Sequence, residues 1–164
     1  MGITGLGHAG LWVDDLILMR DFYRDVLELT VTDEDHDIGM VFFSAQPAVE
    51  HHELVLARGR PEGNPTTLNQ LSWRLDSLAS LQLFHERFVA EGVRIKQVVT
   101  HGIALGIYFL DPEDNVNEVY WMTDRAIPQP FRRDIDLAQS PDAVLDDAER
   151  LLTAPGTTYR RAEQ

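Results

Sequence analysis

The sequence predicts an α+β fold made of two tandem βαβββ modules, and three observations lead to that prediction. A segment at residues 8–31 recurs at residues 70–93, and a repeat of this kind indicates a duplicated structural unit. Each copy has a short apolar stretch, an Asp-containing turn, and then apolar residues three and four positions apart, as in an amphipathic helix. Short strand-like segments separated by turn residues follow each copy and complete the module.

The first module is predicted to begin with a strand at 8–13. Asp14 and Asp15 are suited to cap a helix, and apolar residues at helical spacing continue from Leu16 to Leu27. The remaining elements predicted for this module are strands at 29–32, 39–45 and 50–57, an acidic turn at 33–37, and a linker rich in Gly and Pro at 58–67.

The second module repeats this order. A strand is predicted at 71–75, Ser77 is suited to cap the helix that follows, and Gly92 is suited to end it. Further strands are predicted at 93–99, 103–110 and 116–122, with a turn at 111–115. We expect the modules to span about 3–58 and 68–123 within a domain of residues 1–137, and residues 138–164 to form a tail with a helix at 142–152 and a polar end at 153–164.

Composition limits the partners that this chain can have. With 27 acidic and 14 basic residues among 164, the formal net charge is −13, which argues against nucleic acids and anionic membranes. The absence of cysteine excludes disulfides, thiolate metal ligands and thiol nucleophiles. The sequence shows neither an apolar run of about 18 residues nor a secretory leader after Met1, so we expect a cytoplasmic location.

Three stretches carry a resemblance to a known family: GHAGLWV at 7–13, EHHELVL at 50–56 and HGIALGIYFLDPEDNVNEVYW at 101–121. Their order and spacing resemble the vicinal oxygen chelate superfamily of glyoxalase I, bleomycin-resistance proteins and type I extradiol dioxygenases. The similarity covers about residues 3–137, including PFRRDIDL at 130–137, and is greatest to the single-domain extradiol dioxygenase-like branch. It implies two modules that form a curved mixed sheet around one cup-shaped site with a divalent metal, and chains that pair as homodimers.

The resemblance also implies a set of metal ligands, namely His8, Gln70 and Glu118. Ring-cleaving members have His, His and Glu at these positions, so Gln70 is a departure from the pattern. Two imidazoles and one carboxylate on one face of Fe(II) leave the opposite face open for substrate and oxygen. The implied metal is therefore Fe(II), and Gln70 leaves Zn, Ni or Mn, or no metal at all, as alternatives.

Three further residues receive catalytic roles from the same resemblance. His52 is implied as the acid/base residue, Tyr108 as a hydrogen-bonding partner of a substrate oxygen, and His101 as a second histidine of the pocket. Imidazole is suited to proton transfer near neutral pH. Strand alternation predicts that Glu53 faces outward, away from His52.

Together these residues predict a metal-dependent extradiol dioxygenase that cleaves the ring of a small catechol-type aromatic with O₂. Glutamine is a weaker ligand for Fe(II) than imidazole, so Gln70 keeps two other functions open. One is a glyoxalase-like Zn or Ni isomerase. The other is a non-catalytic or metal-independent protein that binds small molecules, as bleomycin-resistance proteins do.

Overall fold

The computed structural model describes residues 6–60, 63, 68–125, 127 and 131–154. The chain divides into two compact units, one of Met1–Thr67 with Asp111–Asp114 and the other of Leu68–Leu110 with Asn115–Gln164. Most of the linker predicted at 58–67, and the part of the polar end from 155 onward, lie outside the described residues. The predicted domain boundaries at 1–137 and 138–164 stay a prediction.

The first unit contains a four-stranded mixed sheet in the order β1-β4-β3-β2, in which β1 and β4 are parallel and the other pairs are antiparallel. A side-chain oxygen of Asp15 accepts a 3.0 Å hydrogen bond from the Leu18 amide, which confirms the predicted start of the helix. The elements are β1 (Ala9–Val13), α1 (Leu16–Asp21), a π-helical turn (Phe22–Val26), β2 (Thr30–Asp35), β3 (Met40–Ser44) and β4 (Leu54–Arg58).

The core of this unit consists of apolar side chains from the helix and from the inner strands. Tyr23 is fully buried, and its ring lies 6.0 Å from the ring of Phe43 on β3. The other apolar side chains that are exposed by 2% or less in the described part of this unit are Val13, Leu16, Met19, Val41, Leu54 and Leu56. Their periodicity is the one that predicted the helix and strands.

Two strand boundaries in the first unit differ from the prediction. Strand β2 continues to Asp35, because it is an edge strand whose acidic side chains stay in water while its backbone pairs with β3. The turn is accordingly shorter, and Oδ1 of Asp35 accepts hydrogen bonds from the amides of Asp37 and Ile38. Strand β4 begins only at Leu54, so the predicted strand at 50–57 loses its first four residues.

The second unit repeats this arrangement in a five-stranded sheet of order β5-β8-β7-β6-β9, again with its first and last module strands parallel. Ser77 accepts a 3.1 Å hydrogen bond from the Ser80 amide, and Gly92 follows the helix with a φ of 67°, as predicted. The elements are β5 (Leu71–Leu75), α2 (Leu78–Ala90), β6 (Arg94–Thr100), β7 (Ala104–Leu110), β8 (Val116–Met122), β9 (Arg133–Asp134) and α3 (Pro141–Thr153).

Two elements of this unit follow the repeated module. Strand β9 was not predicted; it pairs with β6 through Val99 and Thr100. Helix α3 confirms the helix predicted at 142–152, with Val144 and Ala148 buried. Residues 131–134 therefore lie beside β6, next to the second module.

The shared topology of the two units confirms the predicted α+β class with two βαβββ modules. The described part of the chain contains two mixed sheets, one of four strands and one of five. The cup-shaped site stays a prediction. Over the described part of the chain, no helix is both long enough and apolar enough to cross a lipid bilayer.

Candidate functional site

A row of polar side chains crosses the sheet of the second unit. Ser72 on β5 is the register partner of Glu118 on β8, which in turn is paired with Tyr108 on β7. Tyr108 is paired with Gln97 on β6, and the guanidinium of Arg132 donates a hydrogen bond to Oε1 of Gln97. Register partners in a sheet point to the same face, so Ser72, Glu118, Tyr108 and Gln97 share one surface. The hydrogen bond places the Arg132 guanidinium next to Gln97, and these five residues are here named the polar row.

The opposite face of the same sheet is apolar core. Phe109 follows Tyr108 in β7, and its ring lies 4.5 Å from the ring of Phe88 on helix α2. Asn117, which precedes Glu118, is buried on this face and accepts a 3.0 Å hydrogen bond from the indole of Trp73. The sheet thus has one face that packs against its helix and one that carries the polar row.

Glu118 lies within a set of hydrogen-bond donors. It is 7% exposed, and its Oε2 accepts a 2.7 Å bond from the Ser72 hydroxyl and a 3.3 Å bond from the Gln70 amide. Its Oε1 occupies the space beside Gly106, where an added Cβ would stand only 2.7 Å away. The glycine on β7 therefore leaves room for the carboxylate, and the donors fix its orientation.

Tyr108 is held in its neutral form by this environment. Burial, followed by a hydrogen bond to Glu118 and the negative charge of that carboxylate, raises the pKa of the phenol to about 12. A hydrogen bond from Gln70 and the positive charge of Arg132 act in the opposite direction with smaller effect. At neutral pH Tyr108 is consequently a hydrogen-bond donor.

The geometry of His101 defines which of its nitrogens carries a proton. Nδ1 lies 2.9 Å from the carbonyl oxygen of Phe131, and since a carbonyl only accepts, Nδ1 donates. Nε2 lies 3.2 Å from the hydroxyl of Tyr108. His101 is thus hydrogen-bonded to Tyr108, and Tyr108 lies opposite Glu118, its register partner on β8.

The first unit brings two of the predicted site residues together. The rings of His8 and His52 have centroids 4.5 Å apart, and Phe42 lies edge-on to His52 at 5.2 Å. Nδ1 of His52 is 2.9 Å from Nδ1 of His51, so one of these nitrogens donates to the other. His52 therefore keeps Nε2 as the nitrogen for contact with a ligand.

His8, His52 and Gln70 all lie just before strands instead of within them. His8 precedes β1 and Gln70 precedes β5, while His52 lies in the bend before β4, which corrects its predicted place in a strand at 50–57. The bend is closed by Glu53, whose carboxylate accepts a 2.6 Å bond from the Ala45 amide. The Glu53 side chain was predicted to face outward; in the structure its carboxylate is hydrogen-bonded to the Ala45 amide, just after β3.

The predicted residues fall into two groups, one in each unit. In the second unit Gln70 is hydrogen-bonded to Glu118 and His101 to Tyr108, and Tyr108 and Glu118 are register partners. In the first unit His8 and His52 are in ring contact. Sequence reasoning missed Ser72, Gln97, Gly106 and Arg132. Ser72 stands two residues after Gln70, so strand alternation could have indicated it. The other three depend on cross-strand register.

The donor atoms of the predicted ligands are compatible with a divalent metal. Imidazole nitrogen and carboxylate oxygen are common metal ligands, and the Gln70 amide, whose nitrogen faces Glu118, retains its carbonyl oxygen for ligation. Among the described residues, no group of three His, Asp or Glu side chains could hold a metal. The predicted set has only two residues of those types, so the ligand assignment stays a prediction.

The fold defines a class of protein with two βαβββ modules in one chain. Comparison with known proteins identifies the family. A family model described as the Glyoxalase/Bleomycin resistance protein/Dioxygenase superfamily matches residues 5–119. The chain therefore belongs to this superfamily, as its sequence motifs predicted.

A curated relative and several solved structures are similar to this chain. Biphenyl-2,3-diol 1,2-dioxygenase 2 of Rhodococcus globerulus is 28% identical over 118 residues, which cover 68% of this chain and 60% of that protein. Lactoylglutathione lyase from Agrobacterium tumefaciens matches with a TM-score of 0.59 and 21% identity, over 74% of this chain and 96% of its own. The fosfomycin resistance protein FosX from Listeria monocytogenes, in complex with Mn(II) and sulfate, matches with a TM-score of 0.60 and 22% identity, over 75% and 94%. The two structures support the fold.

Proposed function

We propose that this protein is an extradiol-type dioxygenase that opens the ring of a small catechol-type aromatic with O₂. The observation that carries the proposal is the arrangement on the polar face of the second unit, where His101 is hydrogen-bonded to Tyr108 and Tyr108 lies opposite Glu118. It supplies a neutral phenol donor for a substrate oxygen beside a carboxylate suited to a metal. The 28% identity to a biphenyl-2,3-diol dioxygenase supports the same reaction class.

In this proposal His8, Gln70 and Glu118 hold the metal, Fe(II) by preference. When bound there, Fe(II) supplies the redox chemistry that lets a catechol react with O₂. The protein contributes the orientation of the ligands. Ser72 and the Gln70 amide nitrogen bind the same oxygen of Glu118, and Gly106 leaves room for the other oxygen.

The remaining residues bind substrate and move protons. His52 accepts the proton of a catechol hydroxyl at Nε2, because its Nδ1 is already engaged by His51. Tyr108, neutral at physiological pH, donates its hydroxyl hydrogen to a substrate oxygen. His101 orients that phenol and is itself oriented by the Phe131 carbonyl. Phe42 provides an aromatic edge next to His52.

The proposal is tested by loading the protein with Fe(II) under anaerobic conditions and then adding catechols and air. Formation of a coloured ring-fission product is expected, with loss of activity in His8→Ala and Glu118→Gln and full activity in His36→Ala, an exposed histidine whose ring pairs with Glu34. If iron is bound and none of several catechols is cleaved, the proposal is wrong.

One observation favours a second candidate, a metal-independent protein that binds small molecules. The Glu118 carboxylate already has protein donors in Ser72 and Gln70, so its charge is stabilised without a cation. Elemental analysis separates the candidates. Stoichiometric metal that is lost in His8→Ala excludes the second candidate, and zinc or nickel in place of iron favours a glyoxalase-like isomerase.

The proposal extends to partners and location. The protein would act in the cytoplasm as a homodimer on a small aromatic molecule, without nucleic acid or membrane as partner. Sedimentation equilibrium measures the mass in solution, and a monomer at all concentrations would contradict the dimer.

A further inference from the structure

Arg132 stands at one end of the polar row, beyond Gln97 and Tyr108. It is partly buried, and the hydrogen bond from its guanidinium to Gln97 is the polar contact that the described residues provide for it. Arg132 precedes β9, and the pairing of β9 with β6 holds this segment against the sheet. The guanidinium is thereby fixed beside the row by an amide and by backbone pairing.

Several arginines of this acidic chain form ion pairs with carboxylates. Among the described residues, the arginine pairs at 3.4 Å or less include Arg20 with Asp21, Arg24 with Asp21 and Asp25, Arg60 with Glu113, Arg125 with Glu149, and Arg150 with Asp147. Within the described residues, Arg132 has a neutral amide in that place. A guanidinium has five N–H donors, and the bond to Gln97 uses one of them. Its charge and its remaining donors are suited to an anion from outside the chain.

From these contacts we propose that Arg132 binds a carboxylate on the substrate, and that the protein selects catechols with an acidic side chain. The inference rests on the proposed function, since it takes the catechol oxygens to lie at the Tyr108 and Glu118 end of the row. Neighbouring strands are about 4.8 Å apart, so β8 and β6 are separated by roughly 10 Å. An aromatic ring with a short acid side chain reaches across such a distance.

The charges along the row agree with this orientation. Arg132 is cationic at one end and Glu118 is anionic near the other, with neutral Tyr108 and Gln97 between them. Arginine binds a carboxylate through two parallel hydrogen bonds, which would fix the direction of the ring as well as its charge.

The test compares 3,4-dihydroxyphenylacetate with its methyl ester, which has the same catechol without the charge. Binding to the Fe(II)-loaded protein is measured anaerobically by calorimetry for wild type, Arg132→Gln and Arg132→Lys. Arg87→Gln is the matched control, because Arg87 belongs to helix α2 and lies over the Phe84 ring, 5.1 Å from its centroid. Phenylacetate, which has the acid without the catechol, is a third ligand.

Wild type should bind the acid at least about tenfold more tightly than the ester, as expected for a hydrogen bond to a charged group. Arg132→Gln should remove most of that preference while the affinity for the ester changes by less than about twofold, Arg132→Lys should keep part of the preference, and Arg87→Gln should keep all of it. Equal binding of acid and ester by wild type, or an unchanged preference in Arg132→Gln, overturns the inference.

The inference and the proposed function fail in different ways. Cleavage of the ester with iron and air, together with no preference for the acid, contradicts the role of Arg132 alone. Arg132-dependent binding of phenylacetate without cleavage of any catechol supports an anion site at Arg132 and contradicts the dioxygenase. If neither acid nor ester nor phenylacetate binds, the inference is wrong.

Discussion

The amide nitrogen of Gln70 lies 3.3 Å from Oε2 of Glu118, so two residues predicted as metal ligands are hydrogen-bonded to each other. The carboxylate only accepts hydrogen bonds when ionised, which determines that the amide turns its nitrogen toward it. Gln70 therefore orients Glu118 through its amide nitrogen, whether or not the carbonyl oxygen of Gln70 binds a metal. A histidine at this position would instead offer an imidazole nitrogen as the ligand.

Gln70→His is expected to raise the affinity for Fe(II). Imidazole is a better ligand for Fe(II) than a neutral amide, and we expect a gain of about tenfold or more. The measurement is an anaerobic titration with Fe(II) in competition with a chelator. Gln46→His, which places an imidazole in an exposed loop, is the control. Equal or weaker iron binding in Gln70→His would contradict the assignment of this position as a ligand.

Gly106→Ala is expected to weaken metal binding by displacing a carboxylate. The added methyl group would stand 2.7 Å from Oε1 of Glu118, so that side chain must move. Loss of ligand orientation typically costs tenfold to a hundredfold in metal affinity, and about 1–3 kcal/mol is expected in unfolding free energy. Gly10→Ala serves as the control, because its Cβ would meet only the Val55 carbonyl at 4.0 Å. Unchanged metal affinity in Gly106→Ala would exclude Glu118 from the metal site.

Tyr108 is expected to ionise near pH 12. Burial, followed by the bond to Glu118 and its charge, raises its pKa to about 12 from an ordinary value of 10.0. Because the folded-state pKa is raised, the associated stability is fully present below about pH 10 and is lost as the pH rises through about 12. Ultraviolet titration of phenolate should show this late transition in the wild type and lack it in Tyr108→Phe. A wild-type titration complete by pH 10.5 or so would refute the described environment.

Tyr23→Phe is expected to destabilise the first unit. Tyr23 and Asp111 are both fully buried, and the phenol donates a 2.9 Å hydrogen bond to Oδ2 of the carboxylate. Removing a donor from a buried charged acceptor costs about 1–3 kcal/mol of unfolding free energy. Urea denaturation measures the loss. Tyr120→Phe removes a hydroxyl that is less buried and should cost about 0.5 kcal/mol or less, and equal effects of the two changes would contradict the special role of the Tyr23 bond.

The repeated segment allowed the fold to be predicted, because local signals carry it. Asp15 and Ser77 cap their helices by accepting hydrogen bonds from amides three residues later. Within each helix, the spacing of the apolar residues defines which helix face is buried. The equivalent strand order in both units follows from that repetition. Sequence was sufficient here since each element depends on its own residues.

Features that depend on distant backbone contacts were not predictable in the same way. Strand β4 starts after a bend in which the Glu53 carboxylate bonds the Ala45 amide, just beyond β3, and β9 is defined by its pairing with β6. The polar row likewise depends on the register that aligns Gln97, Tyr108 and Glu118. Motif resemblance indicated two members of this row, while its full extent, including Arg132, required the paired strands.

The central claim, metal-dependent cleavage of catechols, is tested most directly by measuring oxygen uptake and catechol loss together in the Fe(II)-loaded protein. The account predicts equal molar consumption of O₂ and catechol with formation of a ring-fission product, and none of these in the metal-free protein or in Glu118→Gln. Full occupancy by iron with oxygen uptake no faster than in buffer containing iron alone would contradict the claim.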